Sequence, residues 1–221
     1  MTPGPAIAIV DYGMGNRRSV QKAFEHIGAS ATITRDHELL READALVIPG
    51  VGAFPLAMAN LKDLGLDALI RDRAADGTPV LGICLGMQLL FDRSLELEST
   101  GGLGLLPGEV TPIDSGGLRI PHIGWNEVRF EHPSALTSRL PAGGCPFYHV
   151  HSLAARPSRE EDILGTTEYG ERFATIVAHG SIFGVQFHPE KSSRRGLEML
   201  GNFARVAAAQ RPPRAPAVAQ R

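Results

Sequence analysis

Cys84 is the residue of this sequence best placed to act as a nucleophile. It lies at the centre of segment 82–86, GICLG, between a predicted strand and a predicted helix. Small residues on both sides of a nucleophile are typical of a sharp strand-to-helix turn that exposes its side chain. The start of a helix favours a thiolate, and its free N–H groups can stabilise an oxyanion. A buried structural cysteine is the alternative interpretation, because free cysteines are among the most buried residues.

A base and a carboxylate for this nucleophile occur together in segment 187–190, FHPE. A thiolate nucleophile requires a base, and the base is oriented by a third group. His188 and Glu190 are two residues apart, so their side chains lie on one side of an extended chain. Pro189 restricts the backbone between them. Alone, this tripeptide is more typical of a structural turn, but together with Cys84 it predicts a Cys–His–Glu triad.

The segment 49–54, PGVGAF, follows a predicted strand directly. Its two glycines allow backbone amides to approach a ligand closely, and ligands bind at this end of the strands in a parallel sheet. An ordinary strand-to-helix turn is the other interpretation. A phosphate-binding loop is not expected, because no Gly-Lys-Ser/Thr sequence follows.

The elements that must position these residues alternate between strand and helix in the first half of the chain. This alternation predicts an α/β fold with a central, mostly parallel sheet flanked by helices. The second half has short strand patterns separated by turn residues, which predict added antiparallel strands. The predicted strands are 6–10, 31–34, 45–48, 79–83, 118–120, 125–130, 147–150, 174–178 and 182–187, and the predicted helices are 17–27, 55–74, 86–93 and 196–208.

Composition narrows the class of protein. The 221 residues include 22 basic and 24 acidic side chains, and a net charge of −2 argues against binding nucleic acid through bulk charge. The two cysteines exclude a disulfide framework. No apolar run approaches the ~18 residues of a membrane span, and the first residues lack the pattern of a signal peptide. The expected location is therefore the cytoplasm, with no membrane partner.

The last residues differ in composition from the rest of the chain. Residues 206–221, VAAAQRPPRAPAVAQR, contain three arginines, three prolines and six alanines but no acidic residue. Such a composition cannot bury a core. We therefore expect one domain over residues 1–205 and a disordered tail over residues 206–221.

Taken together, PGVGAF, GICLGMQ and QFHPEKS resemble the triad (class I) glutamine amidotransferases over most of residues 6–205. The segments 11–16, DYGMGN, and 121–126, PHIGWN, narrow the resemblance to the glutaminase subunits of imidazole glycerol phosphate synthase, an enzyme of histidine biosynthesis. The resemblance implies that Cys84 attacks the carboxamide of L-glutamine and forms a γ-glutamyl thioester. His188 would act as base and then as acid, and Glu190 would orient its ring.

The resemblance also implies roles for residues around the triad. The amide of Leu85 and the segment 49–52 are similar to the oxyanion hole of the family, and Gln88 and Glu96 match positions at the amino-acid end of the substrate. Glu98 competes with Glu96 in the sequence SLELE. The backbone at His151 and Ser152 would meet the substrate carboxylate. The full set of implied substrate and oxyanion residues is Gly50, Val51, Gly52, Leu85, Gln88, Glu96, His151 and Ser152.

A partner is implied as well. In the family, the glutaminase docks on a (β/α)₈-barrel cyclase subunit that receives the ammonia, and Tyr148 and Lys191 match positions near that interface. Trp125, the single tryptophan, would lie there too, although a core position is the alternative. No cofactor is implied. His149 and His151 alternate along one predicted strand, but the sequence places no third metal ligand beside them.

Three other functions remain open from the sequence. A non-catalytic relative is disfavoured because all three triad residues are present. A stand-alone cysteine hydrolase, such as a peptidase or γ-glutamyl hydrolase, would need no partner surface. A glutaminase serving anthranilate or aminodeoxychorismate formation shares the triad but lacks the DYGMGN and PHIGWN segments.

Overall fold

A single mixed sheet organises the molecule, and this computed structural model describes it over residues 4–210. The sheet has thirteen strands within that range. In chain order they are β1 (Ala6–Val10), β2 (Ser30–Thr34), β3 (Ala45–Gly50), β4 (Val80–Cys84), β5 (Phe91–Ser94), β6 (Thr100–Gly101), β7 (Leu106–Pro112), β8 (His122–Phe130), β9 (Gly144–His151), β10 (Leu153–Pro157), β11 (Ile163–Tyr169), β12 (Glu171–His179) and β13 (Ile182–Val185).

The spatial order of the strands is β2-β1-β3-β4-β13-β12-β10-β7-β5-β6. The first five strands are parallel, whereas β12 and β10 join them in antiparallel pairs. From β12, a branch continues through β11 to β8 and β9, and β8 and β9 form a long antiparallel ribbon. The prediction of a parallel centre with added antiparallel strands is thus confirmed.

Helices cover both faces of the parallel strands. Alternate residues of β1 point to opposite faces, so Ala8 and Val10 contribute to one buried cluster and Ile7 and Ile9 to the other. The helices are α1 (Arg17–His26), α2 (His37–Glu42), α3 (Phe54–Asp63), α4 (Leu66–Ala75), α5 (Leu85–Leu89) and α6 (Ser193–Gln210). Helices α2 to α5 supply the first cluster, and α1 and α6 supply the second. None of the helices within residues 4–210 is both long and apolar enough to cross a membrane.

Two helix predictions differ from the structure. The helix predicted over residues 55–74 is two helices, α3 and α4, because Gly65 between them has a φ of +64° that ends the first one. The helix predicted over residues 86–93 ends at Leu89, and β5 follows it. The apolar residues here fit a helix as well as a strand, because Leu89, Leu90 and Phe91 are all fully buried. Backbone amides of residues 103–106 bond the carbonyls of residues 89–91 and stop the helix there.

The second half also departs from the prediction in places. Residues 118–120 are exposed and form no strand, and β8 begins only at His122. Strands β5, β6, β7, β10 and β11 were not predicted. Helix α6 continues to Gln210, past the domain boundary expected at residue 205. The remainder of the expected tail, residues 211–221, lies outside the described residues, as do residues 1–3.

Candidate active site

Cys84 occupies the turn between β4 and α5. It caps the helix with φ +55° and ψ −111°, a backbone conformation that residues other than glycine rarely adopt. The close packing of the turn against β3 explains the following glycine, because a Cβ at Gly86 would overlap the carbonyl oxygen of Ile48. Gly50, the last residue of β3, is the register partner of Cys84. The nucleophile candidate therefore lies at the carboxyl end of the parallel strands, beside the PGVGAF segment.

The sulfur of Cys84 is enclosed, with 5% of the residue exposed. Three polar partners surround it. The backbone carbonyl of Val150 lies 3.8 Å from Sγ, the side-chain amide of Gln186 lies 3.9 Å from it, and the side chain of His188 is close enough for Cys84 to raise its pKa. A thiol can donate to the carbonyl, and a thiolate can accept from the two nitrogen donors.

His188 and Glu190 form the second half of the triad geometry. The two side chains are buried, and Nδ1 of His188 lies 2.9 Å from Oε1 of Glu190. Because a carboxylate oxygen accepts, Nδ1 carries the proton and Nε2 is left for Cys84. Asn16 also donates to Oε1 from Nδ2 at 3.2 Å. The carboxylate thus fixes the ring and is itself held by a residue of the DYGMGN segment.

The backbone around His188 is held from β9. Its N–H donates to the carbonyl of Tyr148 at 2.9 Å, and Ser192 bridges the same two residues through its hydroxyl. A 3₁₀ turn over Pro189–Lys191 brings Glu190 back beneath the ring. These contacts allow little freedom to the imidazole.

Electrostatics favour a charged ring. Burial alone would lower the pKa of His188, but hydrogen bonds and charges from Cys84 and Glu190 outweigh burial and raise it to about 10. An imidazolium is therefore the favoured form beside Cys84 near neutral pH. This is the arrangement that supports a thiolate nucleophile.

The PGVGAF segment is held at its two ends. The hydroxyl of Tyr12 donates to the carbonyl of Pro49 at 2.7 Å, and Tyr12 is fully buried, so that burial and the charge of Cys84 raise its phenol pKa. At the other end, the N–H of Phe54 donates to Oε2 of Glu96 at 2.6 Å. Val51 and Gly52 between these anchors are exposed. Leu85 is the first residue of α5, so its amide lies at the helix start next to the sulfur.

The contacts of the residues expected at the substrate are as follows. Gln88 is buried on α5 and donates from Nε2 to the carbonyl of Leu153 at 3.3 Å and to Oε1 of Gln186 at 3.1 Å. Glu96 is half-buried beside the PGVGAF segment, whereas Glu98 is exposed. The carbonyl of Ser152 accepts from the amide of Ile113.

His151 belongs to a buried cluster with His122 and His149, which we call the histidine cluster. Nδ1 of His151 lies 2.8 Å from the carbonyl of Leu153, so this nitrogen donates and Nε2 accepts from Nδ1 of His122 at 3.1 Å. His149 lies between the carbonyl of Phe147 and the hydroxyl of Thr175. Burial lowers the pKa of all three rings, to about 3 for His151. Within residues 4–210, no group of three or more His, Cys, Asp or Glu residues could hold a metal ion.

The residues expected at a partner interface lie on the surface next to the triad. Trp125 is 54% exposed, and its ring packs edge-to-face against Tyr148, its register partner across the β8–β9 ribbon. Lys191 is exposed directly after Glu190. The exposure of Trp125 excludes the core position considered from the sequence. Other large apolar side chains exposed before or within β8 are Leu118, Ile120 and Ile123.

Sequence reasoning missed three residues of this site. Asn16 precedes α1, but its side chain makes no capping bond and reaches Glu190 instead. The sequence predicts no role for Tyr12 or Gln186, although both lie inside the DYGMGN and QFHPEKS motifs. Those motifs were the available signal, because Asn16 and Glu190 are 174 residues apart and no local spacing relates them.

The fold and this Cys–His–Glu arrangement define a glutamine amidotransferase. The model of the family "Glutamine amidotransferase class-I" matches residues 8–207, and the chain belongs to that family. The structure of PurLQS from Thermotoga maritima aligns with a TM-score of 0.73 over 92% of this chain and 99% of its own, and its 19% identity supports the fold alone.

Curated relatives narrow the family further. The imidazole glycerol phosphate synthase subunit HisH of Moorella thermoacetica is 54% identical over 200 residues, which cover 90% of this chain and 94% of the relative. The subunit of the same name from Lactococcus lactis is 48% identical over 198 residues, covering 89% and 96%. Within class I, the chain therefore belongs to the HisH family of glutaminase subunits.

Proposed function

We propose that this chain hydrolyses L-glutamine to glutamate and ammonia in the cytoplasm and passes the ammonia to a cyclase subunit of imidazole glycerol phosphate synthase. The cyclase would then make imidazole glycerol phosphate and an aminoimidazole carboxamide ribotide in histidine biosynthesis. The observation that carries the proposal is the line of interacting side chains from Cys84 through His188 to Glu190 at a strained strand-to-helix turn, with His188 hydrogen-bonded to Glu190. The Cys–His–Glu order supports acyl transfer rather than another reaction class.

The reaction would begin with attack of the Cys84 thiolate on the carboxamide carbon of glutamine. The tetrahedral intermediate collapses as the imidazolium of His188 gives its proton to the leaving nitrogen, which departs as ammonia. A γ-glutamyl thioester remains on Cys84. His188 then takes a proton from water, the hydroxide attacks the thioester, and glutamate leaves as the thiolate is restored. Glu190 keeps Nδ1 protonated throughout, so that Nε2 exchanges the proton in both steps.

The oxyanion of each tetrahedral intermediate would be stabilised by backbone N–H groups. The amide of Leu85 is one donor, since it lies at the start of α5 beside the sulfur. The segment Gly50–Gly52 is the second, since Gly50 is the register partner of Cys84. Gln88, Glu96 and the backbone at His151 and Ser152 would hold the amino-acid end of glutamine.

The exposed apolar face beside the triad supports a docked partner. Ammonia released into water would be protonated and lost, so a subunit that covers the site protects the product. Trp125 and Tyr148 present an aromatic pair at this face, and Lys191 adds a charge. Aromatic residues are common anchors at protein interfaces. We assign this face to a heterodimer with the (β/α)₈-barrel cyclase.

Ammonia release tests the proposal. The purified chain is assayed with glutamine alone, with the cyclase subunit, and with the cyclase subunit plus its ribotide ligand. We expect Cys84→Ala to lower release at least about 1000-fold. Complex formation with the cyclase should persist. Cys145→Ser is the matched control, because this second cysteine is buried away from the triad and burial raises its pKa to about 11.

Two outcomes would contradict the proposal in different ways. Near-normal hydrolysis by the Cys84→Ala variant would exclude the nucleophile. High activity of the chain alone, with no response to the cyclase or ribotide, would leave the nucleophile standing but exclude the partner and favour a stand-alone hydrolase.

A further inference from the structure

Gln186 lies inside the catalytic site without a role in the reaction described above. It follows β13 and precedes His188 by two residues, and none of its surface is exposed. Its backbone N–H donates to the carbonyl of Thr175 at 2.9 Å, which fixes the chain at this point. Because alternate residues of an extended chain share one side, Gln186 and His188 are both directed at Cys84.

The orientation of the Gln186 side-chain amide follows from the carbonyl of Leu153, to which Gln186 is linked through Gln88. The carbonyl of Leu153 can only accept, so the atom of Gln88 that bonds it is the nitrogen Nε2. That same Nε2 lies 3.1 Å from Gln186, so the atom of Gln186 facing it is the oxygen Oε1. The remaining atom, Nε2 of Gln186, is left 3.9 Å from Sγ of Cys84. The network leaves no alternative in which an oxygen faces the sulfur.

We propose that Gln186 is a further catalytic residue, whose side-chain amide donates a hydrogen bond to the sulfur of Cys84 and stabilises it as a thiolate. This inference rests on the proposed function to the extent that Cys84 is the nucleophile. The two states of the sulfur have different partners. A thiol donates to the carbonyl of Val150, whereas a thiolate accepts from Gln186 and His188.

The amide differs from the imidazolium in one chemically important respect. His188 gives up its proton to the leaving ammonia, but the N–H of Gln186 does not ionise. The donor from Gln186 is therefore present when the thiolate attacks and again when it leaves the thioester. Since the site is enclosed, a donor that replaces water at the sulfur is worth more there than in solution.

Alkylation of Cys84 by iodoacetamide tests the inference without involving glutamine. The background is Cys145→Ser, which leaves Cys84 as the single thiol of the chain. Gln186→Met keeps the length of the side chain and removes the donor. We expect its alkylation rate at pH 7, followed by mass spectrometry, to fall about tenfold, which corresponds to about 1.4 kcal/mol. The kcat for ammonia release should fall similarly, with KM changed less than about threefold.

Thr175→Val is the matched control. It also removes a buried polar group next to Gln186, but its hydroxyl bonds His149 and not the sulfur. Its alkylation rate should stay within about twofold of the background. If Gln186→Met proves unfolded, Gln186→Asn keeps a buried amide but withdraws it by one methylene, and its alkylation rate should also fall several-fold.

The outcomes separate this inference from the proposed function. An unchanged alkylation rate in a folded Gln186 variant, with KM raised, would overturn the inference, because Gln186 would then act only by orienting Gln88 toward the substrate. A slowed alkylation, together with no ammonia release from glutamine even when the cyclase subunit and its ribotide ligand are present, would overturn the proposed function and support the role of Gln186 at the sulfur.

Discussion

At the scale of single residues, the site depends on a strained backbone conformation at Cys84. A non-glycine residue at φ +55° carries strain of order 1–3 kcal/mol, which the surrounding packing must offset. The turn is held because α5 begins directly against β3, with no room for a side chain at Gly86. Cys84 and Gly86 therefore belong to one structural unit.

Gly86→Ala should destabilise the protein by at least about 3 kcal/mol, since the new Cβ overlaps a backbone oxygen of β3 and no side chain can move aside. Urea unfolding measures this change. Gly101→Ala is the control, because a Cβ there meets nothing within 4 Å, and it should change the free energy of unfolding by less than about 0.5 kcal/mol. Equal stability of the two variants would show that β3 and α5 are not packed as described.

His188 links the charge of the site to stability. Its pKa in the folded chain, about 10, is above the ordinary histidine value of about 6.5. The stability it contributes is therefore complete below about pH 6.5 and is lost as the pH rises through about 10. Urea unfolding at pH 6, 8 and 10 should show this decline.

Cys84→Ala should make that decline shallower, because it removes the hydrogen bond and the charge that raise the pKa of His188. Cys145→Ser should leave the difference between pH 6 and pH 8 unchanged. If the free energy of unfolding fell with pH as steeply in Cys84→Ala as in the wild type, Cys84 would not be the group that raises the pKa of His188.

At the scale of elements, the β8–β9 ribbon carries the histidine cluster on its buried side. Each ring holds one proton in a defined place, and a second proton on Nε2 of His151 would face the N–H of His122. Burial lowers the pKa of His122, His149 and His151 below the ordinary value. The ribbon is thus built to work with neutral rings.

His149→Phe should reduce the loss of stability in acid. A buried histidine with a lowered pKa contributes stability that is present above about pH 6.5 and is lost as the pH falls through the folded value. Replacing His149 removes one such group, so the free energy of unfolding should fall less between pH 7 and pH 5 than in the wild type. His132→Phe, at an exposed loop position outside the cluster, is the control. The same acid loss in both variants would contradict this interpretation.

The sequence alone predicted some of these elements and not others. The apolar runs of β1, β3 and β4 and the local patterns around Cys84 and His188 are short-range features, and they predicted the parallel centre and the three triad positions. The end of α5 was not predictable, because Leu89, Leu90 and Phe91 are buried whichever element they form.

Local sequence patterns also could not predict the contacts between distant parts of the chain. The bond of Asn16 to Glu190 and that of Gln186 to Cys84 join parts of the chain 174 and 102 residues apart. Only the sheet order, in which β13 inserts beside β4, brings such residues together.

At the scale of the whole molecule, the parallel centre and the antiparallel ribbon have separate tasks. The carboxyl ends of β3, β4 and β13 bring the PGVGAF segment, Cys84 and His188 to one edge. The ribbon then presents an aromatic pair next to that edge, and the amide of His188 bonds the carbonyl of Tyr148 in it. A partner seated on the ribbon would therefore contact the element that holds His188.

Trp125→Ala should weaken the complex with the cyclase subunit at least tenfold, as expected for an aromatic anchor at an interface. Because Trp125 is 54% exposed in the free chain, its removal should change the free energy of unfolding by less than about 1 kcal/mol. Isothermal titration calorimetry of the two purified subunits measures the affinity. Leu39→Ala is the control, since Leu39 is 50% exposed on α2, outside the ribbon. If Trp125→Ala bound the cyclase as tightly as Leu39→Ala did, the docking face would have to lie elsewhere, and the contact between Tyr148 and His188 would no longer connect the partner to His188.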